Sequence, residues 1–207
     1  ILGAMTQFVP VWSGVPLHSR RLSVLQLWLV TGGLVGFAGS LLAGASALLP
    51  AFGVVMLAGF WAFVYNVGRT LLRARPWDVT ERHFALALGF FVVVTALGVL
   101  LASTYAVPGP LPVAHAHLRA AHATLAVFGA VLTTVLGALY QLGTMFTQSD
   151  LHGVDLPLGR VEEVAYPFGV LALAAGRLFA LPWVGRAGAL LVVVGLFAFA
   201  VVLARRL

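Results

Sequence analysis

The side chains with most chemical potential crowd into one short segment, His115-Ala116-His117-Leu118-Arg119-Ala120-Ala121-His122. On a helix advancing 100° per residue, His122 lies within about 20° of His115, and Arg119 falls between them. The same face continues through Ala126, Gly129, Thr133, Gly137, Tyr140 and Thr144, polar or small throughout. Leu125, Val127, Phe128, Val131, Leu132, Val135 and Leu136 cover the remainder. Small residues let another helix, or a flat macrocycle, approach the backbone closely. An ionisable group inside an apolar run is costly to bury and marks a site by default. Neutral imidazole is a common ligand for haem iron and suits copper as well. His122, about one turn inside the apolar run, is therefore the candidate metal ligand, with His115 and His117 as further candidates. Arg119 is a candidate partner for a haem propionate, and Tyr140 a candidate cofactor contact. Tyr140 and Thr133 also read as hydrogen bonders in helix packing, and the three histidines with Arg119 as a wet helix N-terminus at an interface.

The elements that position these residues follow from composition. Of 207 residues, 61% are hydrophobic and 9% charged. A soluble domain carries roughly 25% charged residues, so the chain reads as an integral membrane protein. It contains no cysteine, which removes disulfides, thiolate metal sites and cysteine nucleophiles. All twelve basic residues are arginines and lie at segment ends rather than on one basic face, so nucleic acid is not an expected partner. The apolar runs show no two-residue alternation, which disfavours a strand barrel and predicts an all-α bundle.

Six complete spans and one partial span are expected: the tail of a helix at Ile1–Trp12, then Ser23–Leu49, Ala51–Leu72, Phe84–Ala106, Ala120–Phe146, Val164–Leu181 and Ala187–Leu203. Pro50, Pro182 and the stretch Pro108-Gly109-Pro110-Leu111-Pro112 punctuate connections. The half-length apolar run at Ile1 reads as the remainder of a longer helix rather than a re-entrant segment, and Arg205-Arg206-Leu207 as a helix end rather than a finished domain. Connections after spans one, three, five and seven carry Arg20, Arg21, Arg69, Arg73, Arg75, Arg82, Arg160, Arg205 and Arg206, against Arg119, Arg177 and Arg186 on the other side. The arginine bias makes the first set cytoplasmic in a multi-pass cell-membrane protein.

The chain also resembles itself. Gly3-Ala4-x-x-Gln7 followed by Leu17-His18 recurs as Gly137-Ala138-x-x-Gln141 followed by Leu151-His152, an offset of 134. Gly32 and Gly39-x-Leu41 match Gly169 and Gly176-x-Leu178 at 137, and Gly59, Ala62-Phe63 and Arg69 match Gly195, Ala198-Phe199 and Arg205 at 136. Four helices separate the copies, so both face the same way, unlike inverted-repeat transporters. The expected organisation is a four-helix module over 1–113 and a second over 114–207 with three helices present.

The remaining polar residues read as structural. His18 and His152, matched just beyond the ends of spans one and five, are expected to cap the last carbonyls of those helices, with proton uptake or ligand binding as the alternative. His83 belongs to the first turn of span four, with Asp78 or Thr80 as the cap. Glu162 and Glu163 with Arg160 suit the helix dipole at the start of span six. Tyr65 and Asn66 are a weak polar lead within span three. Trp12, Trp77 and Trp183 sit where interfacial belt residues sit. No P-loop, dinucleotide fingerprint, zinc-protease helix or nucleophile elbow occurs.

Arg119-x-x-His122 opening a helix that runs into Gly137-Ala138-Leu139-Tyr140 resembles the haem-ligating helix of haem-copper oxidase catalytic subunits, especially the C-type branch. It also resembles the related nitric-oxide-response membrane proteins. Gln7-x-x-Pro10-x-x-Ser13-Gly14-x-Pro16-Leu17-His18-Ser19 is similar to the loop after such a helix in small oxidase-like proteins. The resemblance implies four-helix units around a pseudo-threefold axis, haem with His122 as axial ligand, copper as the alternative metal, and other membrane subunits as partners. The paired histidines that hold copper in oxidase catalytic subunits are absent, and so is a second intramembrane histidine, so oxygen or nitric oxide reduction is not implied by these residues.

Three functions are open to such a chain: a haem-binding, alternatively copper-binding, membrane protein in electron transfer or diatomic-gas chemistry or sensing; a cofactor-free structural or assembly subunit of a larger complex; and a transporter or channel. The last would need midplane ionisable residues or broken helices.

Overall fold

The computed structural model describes residues 1–106 and 114–206. The Pro108–Pro112 connection and Leu207 lie outside the described residues. Seven helices make up the described chain, with no strand among the described residues: α1 Leu2–Ser13, α2 Arg20–Leu42, α3 Leu49–Leu71, α4 Val79–Ala106, α5 His115–Thr147, α6 Asp155–Leu178 and α7 Pro182–Ala204. The all-α expectation is met.

Five of them, α2, α3 with the 3-10 turn before it, α4, α5 and α7, are long and apolar enough to cross a membrane. Such helices suggest a multi-pass membrane protein. The expected span Val164–Leu181 falls in α6, which begins earlier, at Asp155, and carries charged residues through its first turns. α1 has 12 residues, fewer than a crossing needs. By length and composition the count is therefore five, against the six complete spans read from the sequence.

Ends of helices follow ordinary chemistry. Pro50 and Pro182 sit in the first turns of α3 and α7, where proline's missing N–H costs nothing. Asp78 Oδ1 accepts from the N–H groups of Thr80 and Glu81, which makes Asp78 the cap of α4. The caps of α1 and α5 differ from expectation. Gly14 and Gln148 terminate them in the left-handed conformation, at φ 66° and 50°. His18 instead lies against the end of α3, and the exposed His152 Nδ1 bonds to Asp150 O. Hydroxyls rather than imidazoles reach carbonyls near these helix ends: Ser13 Oγ donates to Val9 O and Thr147 Oγ1 to Gly143 O.

Two tight hairpins, α2–α3 and α6–α7, depend on glycine where backbones nearly touch. A Cβ placed at Gly33 would lie 2.9 Å from Met56 N, and one at Gly59 2.9 Å from Val30 N. In the second hairpin a Cβ at Gly169 would lie 2.6 Å from Val192 N, and one at Gly195 2.9 Å from Tyr166 N. Each second position follows its first by 136 residues: 33 and 169, 56 and 192, 59 and 195, 30 and 166. The contacts thus align Gly33 with Gly169, whereas the sequence match had paired Gly32, which meets nothing.

The start of α2 is clamped to the end of α3. Asn66, fully buried, accepts from Ser19 N at 2.8 Å and donates to Ser19 O at 2.9 Å and Ser23 Oγ at 3.0 Å. Asn66→Leu is expected to cost about 1–3 kcal/mol, because the half-buried Ser19 N–H and carbonyl and the Ser23 hydroxyl lose a partner. Thermal unfolding in fixed detergent measures it, and a change within about 0.5 kcal/mol would show that the clamp is dispensable.

α4 then packs along α5, joining the two expected modules. Met5, Phe63, Phe84, Tyr140, Tyr166 and Phe199 belong to a single core, so the boundary at 113/114 does not separate two interiors.

Candidate functional site

α5 is not regular. Leu125–Leu132 forms a π-helix, a form that often marks functional sites. The Phe128 carbonyl inside it accepts from the hydroxyls of Tyr166 and Thr133. The assumption of 100° per residue therefore fails midway along the helix. The small-residue stripe still faces a neighbouring helix, and that neighbour is α4. A Cβ at Gly129 would lie 2.7 Å from Phe90 Cδ1, and one at Gly137 2.7 Å from His83 Cβ.

Just before the π segment, His122 lines a cavity of about 510 Å³. The walls come from α2, α3, α4 and α5 and are almost wholly apolar, with Phe60, Phe91, Val94 and Ala126 among them. The size falls in the ordinary range for small-molecule sites. His122 Nδ1 lies 3.1 Å from Val94 O on α4. A carbonyl only accepts, so Nδ1 carries the proton and Nε2 keeps its lone pair. A ligating histidine is commonly oriented in this way, by a backbone acceptor on its other nitrogen. Gly98 makes room for the ring, since a Cβ there would lie 3.1 Å from His122 Cε1.

The other sequence candidates do not join His122 at this cavity. Arg119 is exposed, and neither it, His117 nor His115 is among the lining residues. His115 Nδ1 pairs with Thr104 Oγ1 at 2.6 Å, and its ring meets Tyr105 edge-on at 4.8 Å. Tyr140 lies eighteen residues further along α5, on the order of 25 Å away along the axis. Among the described residues no group of three or more His, Cys, Asp or Glu is placed to hold a metal ion. One imidazole does not suit copper, which takes several nitrogen or sulfur ligands. One imidazole over an apolar cavity does suit haem, which needs a single protein ligand at minimum.

Sequence reasoning missed two features. Met56 and Tyr105 also line the cavity. Their signal was absent, because a lone Met or Tyr in an apolar span has no distinguishing neighbour. The second is a buried polar cluster. His83 Nε2 lies 3.1 Å from both oxygens of Glu162, and Tyr140 donates to Glu162 Oε2 at 3.3 Å. His83 is 3% exposed and Glu162 0%. Glu162 is thus an interior partner rather than the surface dipole residue expected of it, while Glu163 does sit near the surface and pairs with Arg82 at 2.7 Å. Gly137 was the legible hint, since only a residue without Cβ lets His83 pass α5 to reach α6.

Comparison with known proteins finds no matching family model and no matching curated protein.

Proposed function

We propose that the chain is a multi-pass membrane protein that holds a haem through His122 and serves electron transfer or diatomic-gas chemistry. The reading rests on one observation: His122 projects from α5 into an apolar cavity with Nδ1 tied to Val94 O, so Nε2 is the nitrogen left to coordinate. Haem, when bound, would supply a one-electron redox centre. The chain's own residues supply the imidazole, its orientation by the α4 carbonyl and an apolar wall. The arginine asymmetry favours the extracytoplasmic half of the bilayer for this cavity. The matched glycine contacts of the two hairpins favour descent of α2–α3 and α6–α7 from one four-helix module, in keeping with the oxidase-like resemblance.

A reduced-minus-oxidised spectrum of the purified protein tests the proposal. The wild type is expected to show a haem band, and His122→Ala to lose it while Arg119→Ala retains it. Purified wild type without haem would reject the reading in favour of the cofactor-free assembly subunit. In that case helix-face Gly→Leu changes should break assembly and His122→Ala should leave it intact.

A further inference from the structure

Residues 1–77 contain five arginines and no Asp or Glu. Four of the five meet at one end of the α2–α3 hairpin. The Asn66 clamp on Ser19 holds Arg20 and Arg21 there, in the first turn of α2. The buried Thr70 hydroxyl accepts from His18 N at 3.0 Å, which places Arg69 and Arg73 beside the same turn. Arg73 Nη2 reaches His18 Nδ1 at 3.1 Å and ties the two helix ends together again. All four arginines are exposed. Among the described residues none of them pairs with a carboxylate, and the arginine ion pairs formed there are Arg82–Glu163 and Arg205–Asp155, elsewhere in the bundle. Asp78 and Glu81, the nearest acids in sequence, are engaged at the start of α4.

Each arginine pair continues into an exposed apolar stripe on its own helix. Arg21, Leu25 and Trp28 follow one face of α2, and Arg69, Tyr65 and Trp61 one face of α3, at helical spacing. A charged end above an apolar flank has the chemistry of a phospholipid, anionic head over acyl chains. The first turn of α2 adds N–H groups, since Ser19 Oγ accepts only from Leu22 N. Arginine clusters at the ends of spanning helices attract acidic lipids.

We propose that the Arg20/Arg21/Arg69/Arg73 end of the α2–α3 hairpin binds the phosphate of an acidic phospholipid whose chains lie along the Leu25 and Trp28 flank of α2. The inference needs only a bilayer around the chain and stands or falls independently of haem at His122.

The test is competitive retention of phosphatidylglycerol against phosphatidylcholine by the purified chain, read by native mass spectrometry from mixed nanodiscs. The wild type should favour phosphatidylglycerol by about tenfold. The triple change Arg20→Gln, Arg21→Gln, Arg69→Gln should abolish the preference. The corresponding triple change to Lys should keep it, and so should Arg186→Gln at the opposite end. Equal retention of the two lipids by wild type, or an undiminished preference in the Gln variant, would overturn the proposal. So would saturation of the site by inorganic phosphate in detergent with loss of lipid preference, since the source would then be a free anion. Should the Gln variant not fold, the wild-type preference and its survival in the Lys variant still decide the matter.

Discussion

Glu162→Ala is expected to destabilise the protein by about 3–5 kcal/mol, the range for removing one partner of a buried ion pair. The carboxylate holds together three helices: it takes His83 Nε2 from α4 and the Tyr140 hydroxyl from α5, and is itself carried by α6. None of the three residues has water to replace it, so both donors would be left buried and unmatched. Glu162→Gln keeps an acceptor for one donor and should lose less. His83→Leu with Glu162→Leu should recover part of the loss, because two apolar groups leave no orphan charge. A double-mutant cycle by thermal unfolding in fixed detergent separates the pair from the two positions taken singly. Coupling below about 0.5 kcal/mol would mean that the contact is geometric only.

Gly188→Val should open the α6–α7 hairpin, at about 3 kcal/mol or more, since overpacking of 1–3 kcal/mol is ordinary where only side chains must move. Here the new Cβ meets backbone: Leu173 N directly, then Ala172 C and Gly169 O at 2.8 Å. Backbone held in two helices cannot rotate away as a side-chain tip would. Gly39→Ala is the matched control. Nothing lies within 4 Å of a Cβ at Gly39, in the interior of α2, so the change should stabilise by about 0.5–1 kcal/mol through lost chain entropy. Opposite signs for the two substitutions are the expected result. A neutral Gly188→Val would show that the helices can separate without loss.

The two substitutions also mark how far periodic pattern carries. Glycine abundance in α2 and α6 signalled close packing, but only the partner helix distinguishes Gly33 from Gly32, one residue apart. Close approach is a property of two surfaces, and the sequence of one holds half of it. The same reason explains Tyr140, which lay on the expected stripe yet serves Glu162 rather than the His122 cavity. The π segment between the two residues breaks the angular count on which the stripe rested.

What the sequence determined by itself was the solvent and the secondary structure. Too few charges, long apolar runs and proline at helix starts leave helices packed in an apolar medium, because backbone groups there must pair within the chain and runs without two-residue alternation do so as helices. It also singled out His122, since an imidazole inside such a run stands out against aliphatic neighbours. Which nitrogen of that ring is held, and which residues share its cavity, depended on α4 and α3 arriving at the same place. The burial of Glu162 likewise became visible only once three helices met, because a carboxylate in the first turns of a helix has the same sequence signature whether it faces water or a histidine.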